Sequence, residues 1–140
     1  MNNVVNFNRE KVNLLEAEML KQKQLDLPVK HYFAPNVYAR ELFIPKGTLL
    51  TGKIHKYAQL NILSKGDMSV LTDEGVVRVQ APFTIVSPPG TKRIALAHED
   101  CVWTTVLGTD ETDPDVIEQK FTAKDELEYL KFCEAMKCLS

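Results

Sequence analysis

The sequence predicts a mainly β protein, an antiparallel sandwich or barrel with a helix at each end. Between Val37 and Leu107 about eight short runs rich in β-branched and aromatic residues follow one another. Turn residues separate them at regular spacing, and no helical stretch intervenes, which argues against a parallel sheet.

Before the β-rich region, Val12, Leu15, Met19 and Leu20 recur at helical spacing while Glu10, Lys11, Glu16, Lys21 and Lys23 fill the opposite face. This predicts an N-terminal helix from Asn8 to about Gln24, docked on the body or on a neighbouring subunit. Residues 29–36, with His31, Tyr32 and Phe33 ahead of Pro35-Asn36, read as an aromatic linker and turn. The expected strands are Val37–Ile44, Thr48–His55, Ala58–Ser64, Asp67–Thr72, Val76–Gln80, Phe83–Val86, Lys92–Ala97 and Cys101–Leu107. Asp73-Glu74-Gly75 turns the Asp67–Gln80 hairpin, because its glycine can take positive φ. Gly108–Pro114 is a polar, acidic exit loop. Thr122 and Asp125 resemble a capping box for a C-terminal helix from about Ala123 to Lys137, with Leu127, Leu130, Ala135 and Met136 as its apolar stripe. The expected organisation is residues 1–36 as helix and linker, 37–108 as β-barrel, and 109–140 as acidic loop and helix.

A chain of 140 residues can bury a core without staples, and 44% hydrophobic with 26% charged residues is ordinary for a globular domain. A formal charge of -2 gives no general attraction to nucleic acid or an anionic membrane. The N-terminus lacks the pattern of a secretory signal, and no apolar run approaches a membrane span, so an intracellular setting is expected. Cys101, Cys133 and Cys138 are odd in number and lack CxxC spacing, which supports neither a disulfide framework nor a zinc knuckle. No nucleotide-binding glycine loop or nucleophile elbow occurs.

Residues 44–107 resemble the cupins, a family of jelly-roll β-barrels that carry metal ligands on two motifs. Gly52, His55, Tyr57, Asn61 and Gly66 match the first motif, with one histidine where the family has two and Asn61 at the glutamate position. Pro88-Pro89-Gly90-Thr91-Lys92 matches the second, and Arg93 stands at its histidine position. The runs Tyr38–Glu41, Ile44–Thr48, Gly52–His55, Leu60–Gly66 and Val102–Thr105 are also similar to cupin-like proteins of tailed bacteriophages. The resemblance implies an antiparallel jelly-roll β-barrel and a phage source. It places the protein in the cytoplasm of an infected bacterial host or in the virion.

A metal site needs several converging nitrogen or carboxylate ligands, and a guanidinium repels a cation. A metal at His55 is therefore disfavoured, and no cofactor and no catalytic residue are assigned. Lys53, His55, Tyr57, Asn61 and Arg93 instead form a candidate anion-binding set, since Arg93 offers a planar fork to a carboxylate or phosphate. In the alternative, His55, Tyr57 and Asn61 form a hydrogen-bonded interior and Arg93 pairs with Glu99 or Asp100. Strand alternation turns His98 away from the side Arg93 enters, so a His55–His98 pair is not expected. Trp103 reads as core. The favoured function is a non-enzymatic phage accessory or structural protein acting through protein contacts as a homo-oligomer, with a dimer preferred. The alternatives are sequestration of a small anionic metabolite or nucleotide, and a metal-dependent cupin enzyme.

Overall fold

A computed structural model describes residues 7–20, 26–72 and 75–139. The chain runs α1 (Phe7–Leu20), β1 (Val29–Ala34), β2 (Val37–Ile44), β3 (Leu49–Thr51), β4 (Ile54–His55), β5 (Gln59–Lys65), β6 (Asp67–Thr72) and β7 (Gly75–Gln80). It continues with β8 (Phe83–Ser87), β9 (Ile94–Ala97), β10 (Cys101–Leu107), α2 (Pro114–Phe121), β11 (Thr122–Ala123) and α3 (Glu126–Leu139). One sheet has the strand order β1-β2-β10-β5-β8, a second β3-β9-β6-β7, and β4 pairs with β11. Every pairing is antiparallel. The fold is a mainly β, cupin-like jelly roll with helices at both ends.

The period-two pattern in the sequence becomes the inside of the barrel. Leu42 and Ile44 of β2, Leu63 of β5, Met68 and Val70 of β6, Ala95 and Ala97 of β9, and Cys101 of β10 form the main core. A smaller cluster joins Tyr38 and Leu107 to Ile117 and Phe121 of α2. Burial of these side chains is the chief stabilising term, at roughly 25 cal/mol per Å² of apolar surface removed from water.

Several expected elements differ from those observed. Residues 29–34 form a strand rather than a linker: Val29 pairs with Leu42 and Ala34 with Val37. Pro35-Asn36 is thus a hairpin turn, in which Asn36 takes a positive φ of 64° that asparagine tolerates. The run Thr48–His55 is split at Gly52-Lys53 into two strands that belong to different sheets. Helix α2 rises out of the acidic loop, its N-terminus capped by Asp113, whose side chain accepts from the Asp115 amide, with Pro114 at the first helical position. Thr122 therefore closes α2, its hydroxyl donating to the Glu118 carbonyl (2.6 Å), while Asp125 accepts from the Glu128 amide (2.8 Å) at the start of α3. The expected extension of the first helix to Gln24, and the turn residues Asp73 and Glu74, lie outside the described residues; the flanking strands pair as expected, Thr72 opposite Gly75.

The N-terminal helix is fastened to the barrel by polar contacts as well as by the buried Val12. Lys92, only 3% exposed, donates to Glu16 Oε1 (2.6 Å) and Asn13 Oδ1 (3.1 Å), and Thr51 donates to Glu16 Oε2 (3.1 Å). Arg9 reaches both Glu126 of α3 and the Gly90 carbonyl. A buried ammonium needs such partners, since removing one side of a buried pair leaves an uncompensated charge.

Gly66, between β5 and β6, fixes the crossing from one sheet to the other. Its φ is +105°, and a Cβ there would lie 2.5 Å from the Asp100 carbonyl oxygen and 2.8 Å from Cys101 Cα. Both obstacles are backbone atoms of the β9–β10 connection, so neither can swing aside. Gly66→Ala is expected to cost about 3 kcal/mol or more through strain and overpacking. Urea denaturation should show a clear drop in midpoint; an unchanged midpoint would contradict this packing.

Candidate functional site

A cavity of about 1030 Å³ opens from the barrel interior to solvent, about the upper limit of the roughly 300–1,000 Å³ usual for ligand pockets. One part of its wall is apolar, with Leu42, Ile44, Met68, Val70 and Ala95. Another carries Tyr38, His55, Gln59, Arg93 and Thr105, and Met19 of α1 with Ile117 and Phe121 of α2 complete the wall.

Register explains why Arg93 is inside. The Gly52 amide donates to the Arg93 carbonyl (3.0 Å), and Thr51 pairs with Ile94, so β9 enters its sheet with Arg93 on the side of Ala95 and Ala97. The guanidinium donates from Nη2 to Ser87 Oγ and lies 5.8 Å from the centre of the Trp103 ring. Ser87 Oγ also accepts from Asn61 Nδ2 (2.6 Å), and Asn61 Oδ1 accepts from Thr105 Oγ1 (2.9 Å). A polar relay thus crosses β10, β5 and β8 and ends on Arg93. Burial draws the Arg93 pKa below its ordinary value, yet an arginine stays charged in a protein.

His55 sits in β4, whose backbone is held from two sides. Thr122 and Ala123 pair with His55 and Ile54. On the other side the His55 amide donates to the Thr91 carbonyl (3.0 Å), and the Gly90 amide donates to the His55 carbonyl (2.7 Å). The ring is inside the cavity wall, and burial together with the charge of Arg93 lowers its pKa to about 4. The imidazole is therefore neutral at pH 7. His55 Nδ1 and Gln59 Oε1 are both buried without a hydrogen-bond partner among the described residues, although buried polar atoms are paired in the large majority of cases.

The five candidate residues separate into distinct positions. His55 and Arg93 face the cavity. Lys53 also borders it, but its ammonium is paired with Glu118 of α2. Asn61 is buried behind the wall and positions Ser87 rather than facing the cavity. Tyr57 is turned outward, edge-on to Phe121 (5.5 Å) and Phe132 (5.3 Å), because the chain bends at Lys56-Tyr57 and breaks the alternation that would have kept it with His55. Arg93 does not pair with Glu99 or Asp100: Glu99 faces Lys46 (4.0 Å), and Asp100 accepts from the Lys46 amide (2.8 Å). His98 bonds Ser69 Oγ (2.6 Å) and does not border the cavity. The candidate set left out Gln59 and Ser87, while Trp103, read as core, packs against the core and also borders the cavity. His31, read as part of a linker, borders the cavity from β1 with its Nδ1 2.7 Å from Tyr38 Oη.

Compared with protein-family models and with curated proteins, the sequence matches none. Solved structures do resemble it. A salicylate 1,2-dioxygenase from Pseudaminobacter salicylatoxidans is similar at a TM-score of 0.54 and 13% identity, over 71% of this chain and 31% of that one. A protein with a double-stranded β-helix domain from Klebsiella pneumoniae gives 0.53 and 12%, over 66% and 84%. A cupin superfamily protein from Desulfitobacterium hafniense gives 0.51 and 8%, over 67% and 87%. At such identities the likeness is one of fold.

The residues present do not fit the metal centre that the cupin resemblance implies. Among the described residues no three His, Cys, Asp or Glu side chains gather to hold a metal. Asn61 and Arg93 stand where the motifs have a glutamate and a histidine, and Arg93 directs positive charge at His55. The arrangement offers hydrogen bonds and the guanidinium groups of Arg93 and Arg40 instead.

Because His55 resists protonation in the fold until about pH 4, whereas an unfolded histidine titrates near about 6.5, the unfolded chain binds more protons between those values. Its contribution to stability is complete above about pH 6.5 and declines as the pH falls toward about 4. Chemical denaturation across this range should show a shallower pH dependence for His55→Gln than for the parent protein. Identical slopes would contradict the burial of a neutral His55.

Proposed function

We propose that the barrel binds a small anionic molecule. One observation carries this reading: the Arg93 guanidinium borders the cavity with no carboxylate partner among the described residues, held only by Ser87 Oγ and the Trp103 face. A half-buried arginine that faces a cavity without an acid keeps donors to offer, and its planar fork suits a carboxylate or phosphate. His55 Nδ1 and Gln59 Oε1 supply a further ring nitrogen and an acceptor in the same wall. Under this reading the function is binding or sequestration of a metabolite, carried by the charge of Arg93. In thermal denaturation with acetate, succinate, inorganic phosphate and nucleoside monophosphates, at least one anion should raise Tm by several degrees at saturation. Arg93→Ala should abolish that shift, and an equal shift in the variant would refute the assignment.

A second reading, an oligomeric accessory protein in the phage setting that the sequence resemblance implies, is supported by a different feature. Leu127 and Leu130 of α3 are 62% and 59% exposed and stand three residues apart, on neighbouring positions of one helix face. Under this reading the protein associates through that face. Light scattering should then give a mass above 15.9 kDa that falls on dilution or in Leu127→Asp; a monomer at every concentration would exclude it.

A further inference from the structure

On the far side of Arg93 lies a second cavity, of about 320 Å³, that the anion site does not explain. Val77 of β7 and Phe83, Ile85 and Val86 of β8 form its apolar wall, at the gap where the outer strands of the two sheets approach each other. Arg93, Trp103 and Val70 border this cavity and the large one alike, so these three side chains form the partition between them. Val77 and Val86 are 52% and 64% exposed at its rim, an apolar patch that water solvates poorly. A positive group at the floor of an apolar slot is complementary to a molecule with one anionic end and one apolar end.

Resting on the reading that Arg93 holds an anion, we propose that the ligand is a small amphipathic monocarboxylate, its carboxylate on Arg93 and its aliphatic or aryl part in the slot between β7 and β8. The size of the slot limits that part to a short chain or a single ring. The Arg93 fork has donors beyond the one given to Ser87, and the carboxylate takes these. Binding displaces water from Val77, Ile85 and Val86, so affinity grows with chain length until the slot is filled.

Trp103 is the only tryptophan in the chain, so its emission reports on the partition itself. Titrating the whole protein with acetate and with octanoate should give saturable changes in that emission, with octanoate at least about tenfold tighter, given about fourfold per fully buried methylene. Val77→Asp and Val86→Asp, at positions exposed enough to tolerate the change, should each cut the ratio of octanoate to acetate affinity severalfold. Circular dichroism checks that both variants are folded. If both acids bind with equal affinity and Arg93→Gln abolishes both, the slot is not used and the inference falls while the anion site stands. A ratio that persists in both valine variants puts the apolar part elsewhere and also overturns it. If neither acid binds in a manner that needs Arg93, the inference falls, and the reading beneath it falls too when succinate, inorganic phosphate and nucleoside monophosphates also give no shift in Tm that needs Arg93.

Discussion

The Arg93 guanidinium gives up much of its hydration inside the barrel, and among the described residues one hydroxyl and one aromatic face answer it. A cation–π contact is worth on the order of 0.5–2 kcal/mol and a hydrogen bond from a charged donor about 1.5–3 kcal/mol, and both offset the desolvation that half-burial imposes on the guanidinium. The balance makes the position of Ser87 Oγ decisive. Three strands of the large sheet converge on it: Thr105 orients Asn61, Asn61 donates to Ser87, and Ser87 receives Arg93. Each member can act only if the β10–β5 and β5–β8 registers are correct.

Helices α1 and α2 are walls of the same cavity rather than appendages. Helix α1 contributes Met19 and is fastened through Glu16 to the buried Lys92, the immediate neighbour of Arg93. Helix α2 contributes Ile117 and Phe121 and leads into β11, which fixes the strand bearing His55. The segment after α2 therefore fixes the strand of a residue 67 positions earlier, since Thr122 pairs with His55. Shaping of the site by both ends of the chain gives the helices a role that an isolated jelly roll would not require.

Much of the barrel was legible in the sequence because burial on one side of a strand writes a period of two, as in Leu42 and Ile44 or Ala95 and Ala97. The same parity rule put Arg93 inside and separated it from His98. It could not reveal β1, because that strand is exposed along most of its length and its aromatic residues carry no alternation. Nor could it reveal the bend at Tyr57, since Lys56-Tyr57 leave the strand and its alternation, which takes the ring from the side of His55 to Phe121 and Phe132 without changing local composition. Helix α2 was hidden in a run of acids, although Asp113-Pro114 is a sound helix start. The acceptor for Arg93 is a serine six residues earlier on another strand; long-range pairings of that kind depend on topology rather than on sequence pattern.

The central claim is that Arg93 is an anion-binding group inside a barrel, and nitrogen-15 NMR of the arginine Nε–H groups tests it directly. The chain has four arginines, at positions 9, 40, 78 and 93, and assignment by substitution separates their signals. On titration with a carboxylate, the account predicts a saturable shift largest at Arg93, while Arg78, which pairs with Asp67 away from the cavity, moves little. Shifts that are equal at all four, or that never saturate, would show that the anion meets only the general charge of the surface and would contradict the account.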